Sequence, residues 1–105
     1  MNVQLRVDGD NPGAEKLRLL GDLLYICFRS PRHSNQSLDR VRAVVQPPVD
    51  LGQVIVFRDN ERPVAFLSWA FFSEKAERAY LNGDVLAPSD WRSGNRCWCV
   101  EMVSL

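Results

Sequence analysis

Between Gly13 and Phe28 apolar residues recur at helical spacing: Leu17, Leu20, Leu24 and Cys27 form one stripe, and Leu19, Leu23 and Ile26 widen it. The spacing predicts an α-helix with most of its circumference apolar, packed on a sheet or between partners. Asn11 can cap this helix and Pro12 can take its first position, where a missing N–H costs nothing. Pro31 disfavours helical geometry at Ser30, so the run from Arg29 to Asn35 reads as a polar turn that puts His33 on a loop. Ser37 can then cap a second helix carrying Leu38, Val41, Val44 and Val45, about three turns long and closed by Pro47-Pro48.

Beyond the prolines the period changes from helical to alternating. Gln53 to Arg58 is rich in β-branched residues, Asp59-Asn60-Glu61-Arg62 is a turn cluster, and Pro63 to Phe71 returns as a longer strand, which predicts an antiparallel hairpin. Ser73 caps a short helix in which Glu74 and Arg78 form an i,i+4 pair, and Asn82-Gly83 supplies a left-handed stop. Arg96 to Ser104 alternates again as a third strand, and Met1 to Asp10 alternates weakly as a short strand or lead-in. The whole, residues 1–105, is expected to be a single domain of the α+β class, with helices packed on a small antiparallel β-meander.

Composition changes this picture little: 46% hydrophobic and 25% charged residues are ordinary for a globular chain. Thirteen basic and thirteen acidic side chains cancel, so no overall field favours a polyanion, and nucleic acid is not an expected partner. No apolar run is long enough to span a bilayer and no signal-like start precedes the first helix, which makes a cytoplasmic location the expectation. Three cysteines, Cys27, Cys97 and Cys99, are an odd number, and the last two share one side of a strand, so a reducing compartment fits better than a disulfide framework.

Candidate chemistry is sparse. His33 is the only histidine and can act as a general base near neutral pH, although a histidine in a turn is usually just solvated. Alternation makes Glu101 an outward-facing strand residue, opposed to Val100 and Met102 across the pleat. The Cys97-x-Cys99 pair lacks the spacing of common zinc sites and no second pair accompanies it, so no metal is expected. Arg32, Arg92 and Arg96 read most simply as solvated loop charges. Aromatic surface concentrated in the second half (Trp69, Trp91, Trp98) and an open edge on the last strand predict a homodimer or a protein partner.

Three segments carry a resemblance beyond these patterns: Ser30-Pro31-Arg32-His33, then Pro63-Val64-Ala65-Phe66-Leu67-Ser68-Trp69-Ala70, then Asp90-Trp91-Arg92-Ser93-Gly94-Asn95-Arg96-Cys97-Trp98. In this order and at similar spacing they resemble the RTX-toxin-activating lysine acyltransferases, bacterial proteins that attach a fatty acyl group to internal lysines of a protoxin. The likeness spans roughly Leu17 to Val103 and corresponds to the N-terminal part of such an enzyme, a GNAT-like half-fold. Family members continue past it through an Ala-Pro-Phe-Gly-like segment, a donor-contacting helix and further strands. The resemblance implies acyl transfer from acyl carrier protein to a lysine side chain, with His33 as base, and no bound cofactor. It puts the family's second essential group, an aspartate, at Glu101, one methylene longer, and Gln36 stands where tryptophan is typical. These departures keep a second expectation open, a degenerate, non-catalytic binding or inhibitor protein using the same scaffold, of the kind a phage or mobile element carries.

Overall fold

A computed structural model describes residues 13–105. The expected strand over Met1 to Asp10 and the capping roles of Asn11 and Pro12 lie outside them. Helix α1 spans Ala14–Arg29 with Gly13 at its N-cap. Its buried face is Leu23, Ile26 and Cys27, flanked by partly covered Leu19, Leu20 and Leu24, whereas Leu17 is exposed. The segment expected to be a loop is instead a one-turn helix, α2 (Pro31–Ser34). Pro31 supplies the reason: it excludes helix at Ser30, which is extended, but its fixed φ starts the next helix at the first position.

Helix α3 runs from Leu38 to Leu51, with the Ser37 hydroxyl accepting from Arg40 N. Pro47 and Pro48 do not close it. They withhold two N–H donors, but their φ suits a helix, and both rings are buried in its last turns. Termination falls to Gly52, at φ 68°, with Gln53 N donating to Pro48 O at 2.8 Å.

Strands β1 (Val54–Asp59), β2 (Arg62–Phe72) and β3 (Arg96–Ser104) form an antiparallel sheet in sequence order. The β1–β2 turn places Asn60 and Glu61 at positive φ, the handedness that matches a twisted hairpin. Between β2 and β3 lies helix α4 (Glu74–Leu81), capped by the Ser73 hydroxyl and stopped at Gly83, followed by a 3₁₀ turn at Pro88–Trp91. The expected Glu74–Arg78 pair is present at 3.2 Å. The architecture is α+β: among the described residues, four helices on a three-stranded antiparallel sheet.

Two apolar clusters occupy the helix side of the sheet. Phe66 and Val103 meet α1 and α3 through Leu23, Ile26, Cys27, Val41, Val45 and Val49. Ala70 and Phe72 meet Ala76, Leu86 and the fully buried Trp91. Ile55, Leu67 and Met102 are register partners on the opposite face, where Ile55, Phe57 and Met102 are exposed.

The three arginines read as solvated loop charges all have partners. Arg92 donates through Nε to the buried Gln53 Oε1 at 3.0 Å and through Nη2 to Leu51 O at 3.0 Å, while Gln53 Nε2 donates to Trp69 O and Trp91 O. Arg96 reaches Glu77 at 2.7 Å, and Trp98 Nε1 donates to the other Glu77 oxygen at 2.8 Å. Those bonds, Trp98 first, hold the Glu77 carboxyl below its ordinary 4.5. Because the folded state favours the carboxylate, this contribution to stability is complete above that value and is lost as pH falls through the lowered one. Acid titration followed by tryptophan fluorescence should therefore show a loosening of α4 from β3 below pH 4.5, and Glu77→Gln should remove that pH dependence.

Candidate active site

One irregularity in the β2–β3 ladder determines which way Glu101 faces. Ser68 pairs with Glu101 and Trp69 with Cys99, so the register skips Val100 in a β-bulge. Paired residues share a face, and the buried positions of β2 mark the helix side. Arg96 and Trp98 lie on that side before the bulge, and Glu101 and Val103 after it. Strict alternation would have turned Glu101 outward; the extra residue turns it inward, toward α2.

There it meets His33. The imidazole Nε2 lies 3.4 Å from Glu101 Oε2, and the histidine side chain is 1% exposed. On its other side, Nδ1 lies 2.8 Å from the Ser30 hydroxyl, the residue that precedes α2. With Nδ1–H donating to Ser30, Nε2 keeps its lone pair and can accept a proton. The resulting imidazolium then has an acceptor at each nitrogen, Ser30 Oγ and the Glu101 carboxylate. Arg32, from the same one-turn helix, donates to Glu101 Oε2 at 2.7 Å with its side chain 60% exposed. One carboxylate oxygen thus faces both a buried imidazole and an accessible cation.

The Cys27 thiol lies in the core near this carboxylate. Burial first, and then the Glu101 charge, push it up to about 11, so it stays protonated at neutral pH. Among the described residues no group of three His, Cys, Asp or Glu side chains could hold a metal ion. A cleft of about 210 Å³ opens beside Glu101, with Gln36, Val44, Tyr80, Leu86 and Val100 among its walls.

The structure therefore brings together the two expected site residues, His33 and Glu101, from segments far apart in the chain. It adds two that the sequence reading did not assign. Ser30 sits three residues before His33, a spacing that one helical turn brings together; Arg32 carried no local signal for its partner across the fold.

The α+β scaffold thus places a buried histidine beside an inward carboxylate on a small antiparallel sheet. Residues 13–104 match the RTX toxin acyltransferase family, and the chain belongs to that family. It is 32% identical over 87 residues to a leukotoxin-activating lysine-acyltransferase of a Pasteurella haemolytica-like species, covering 82% of this chain and 53% of that protein. A Vibrio cholerae lysine-acyltransferase is 31% identical over 93 residues, 87% of this chain and 61% of its own. The protein-lysine myristoyltransferase of Escherichia coli is 33% identical over 90 residues, 84% and 52%. The chain spans about half the length of the curated relatives it matches.

Proposed function

We propose that this protein is a protein-lysine fatty acyltransferase that takes its acyl group from acyl carrier protein and uses His33 as general base, in the GNAT-like arrangement that the resemblance implies. The observation that carries this reading is the approach of His33 Nε2 to Glu101 Oε2 at 3.4 Å in a chain of this family.

A lysine ammonium must lose a proton before it can attack a thioester. Nε2 of His33 takes that proton. The amine nitrogen bonds to the thioester carbonyl carbon and gives up its second proton to solvent, the carbon–sulfur bond breaks, and the departing thiolate recovers the first proton from the imidazolium. Glu101 stabilises the imidazolium between these steps, and Ser30 holds the ring by its far nitrogen. Arg32, an exposed cation on the same Glu101 oxygen, stands in for the arriving lysine ammonium.

The same reading includes a cytoplasmic location and a homodimer. The exposed Ile55, Phe57 and Met102 on the sheet face away from the helices, and the edge position of β3 among the described residues, support the dimer. Analytical ultracentrifugation should give a dimer mass; a strictly monomeric mass would remove that part.

The activity is tested by incubating the protein with acyl carrier protein bearing a labelled fatty acid and a bacterial protein extract, then searching for acylated lysine by mass spectrometry. Labelled lysine is expected. Its absence, where the Escherichia coli relative transfers the label, would reject the enzyme and leave the non-catalytic binding scaffold.

A further inference from the structure

Glu101 reaches His33 only because the ladder slips at Val100, so whatever fixes the bulge fixes the aim of the carboxylate. A bulge is a soft point: its extra residue is unpaired and the strand can relax toward plain alternation, which would swing Glu101 away from the imidazole. Here one side chain bridges it. The Tyr80 hydroxyl lies 3.3 Å from Val100 O and 3.5 Å from Cys99 O, the two carbonyls of the irregularity.

Tyr80 is itself held rigidly. Its ring packs against Phe72 at 5.4 Å and edge-on to Trp98 at 5.6 Å, both on the helix side of the sheet. One turn earlier on α4, Glu77 binds Arg96 and Trp98. Helix α4 therefore grips β3 at two successive levels, by charge before the bulge and by the phenol across it. Burial, reinforced by the Glu101 charge, raises the Tyr80 hydroxyl above its ordinary 10.0. It remains a proton donor to those carbonyls throughout the neutral range.

We propose that Tyr80 is a positioning residue, whose hydroxyl locks the Cys99–Val100 bulge and so aims Glu101 at His33. The kinetic part of this inference rests on the acyl-transfer reading above; the geometric part does not. The hydrogen bonds of the Tyr80 hydroxyl go to the backbone of β3, and it is through that backbone that Tyr80 acts on Glu101. Tyr80→Phe keeps the ring and its aromatic contacts and removes only the hydroxyl.

Because His33 is the sole histidine, its ring protons give an unambiguous NMR signature of proximity to the Glu101 side chain. The nuclear Overhauser effect between the His33 ring and the Glu101 methylenes is expected to weaken at least about twofold in Tyr80→Phe, while contacts of residue 80 with Phe72 and Trp98 persist. Acyl transfer by Tyr80→Phe is expected to show kcat lowered by about tenfold or more with KM unchanged, since small misplacements of a catalytic group are costly. In a Glu101→Gln background the same change should have no further effect, because Tyr80 acts only through that carboxylate. An Overhauser effect of wild-type intensity in Tyr80→Phe overturns the proposal whatever the kinetics. So does an equal loss of kcat in both backgrounds. If the wild-type protein transfers no acyl group, the acyl-transfer reading falls and the Overhauser measurement alone decides this one.

Discussion

His33→Ala is expected to lower the rate of acyl-lysine formation by about 10²- to 10⁴-fold, the usual contribution of a positioned general base. On the proposed mechanism the loss should appear in kcat, since a general base serves the chemical step and not the binding of either substrate. His33 is also a buried polar residue, hydrogen-bonded to Ser30 at one ring nitrogen and 3.4 Å from Glu101 at the other, and its removal strands Ser30 Oγ and leaves Glu101 with Arg32 alone. Such an orphaned buried group costs about 1–3 kcal/mol, so a fall in stability accompanies the fall in activity. His33→Gln separates the two: its amide can still bond to both neighbours, yet it has no basic nitrogen. A glutamine variant with an intact fold and the same loss of rate is the expected result. Transfer at the wild-type rate by either variant would remove His33 from the reaction.

The largest effect on the fold is expected from Gly94→Ala. A Cβ at this position would lie 2.5 Å from Phe72 O, 2.6 Å from Ser73 N and 2.7 Å from Phe72 C, all backbone atoms with no side-chain freedom to yield. The approach is close because the loop is sewn to the end of β2: Ser93 N and Gly94 N both donate to Phe71 O, and Ser73 N donates to the Ser93 hydroxyl. Relieving the clash must part these strands, at a cost of about 1–3 kcal/mol or more, by analogy with overpacked cores. For a domain of this size that corresponds to a fall in Tm of roughly 4–8 °C per kcal/mol. Differential scanning calorimetry reads it directly, and an unchanged Tm would contradict the packing described here. Because this loop feeds β3, the displacement should also reach Glu101 and lower activity.

Much of the architecture was legible because it follows from local rules. Ser37 and Ser73 cap the helices they precede, Gly83 stops α4, and the β-branched run from Val54 pairs with the segment after Asp59-Asn60-Glu61. The failures share a different cause. Pro47-Pro48 signals a helix end, but a proline's cost depends on where its ring lands, and these two are buried in the fold. His33 looked solvated because Pro31 suggested a loop, when the same residue begins a helical turn that α1 and β3 cover. Arg32, Arg92 and Arg96 found carboxylates, an amide and a carbonyl 19 to 69 residues away, and separations of that kind leave no trace in a local pattern.

Glu101 is the most instructive case. Alternation assigned it outward, and only the resemblance to the acyltransferases suggested a role. The bulge at Val100 overrides the alternation, turning Glu101 to the inner face and seating it beside His33. Nothing in Trp98-Cys99-Val100-Glu101 announces a bulge, because the slip is stabilised from outside the strand, by Tyr80 on α4.

The pairing of His33 with Glu101 is tested most directly by a double-mutant cycle on single-turnover acyl transfer, comparing the wild type with His33→Ala, Glu101→Gln and the double variant. If Glu101 serves the reaction only by stabilising the imidazolium, the double variant is no slower than His33→Ala. Two losses that multiply would show that the carboxylate works independently of the histidine, and the site would have to be redrawn.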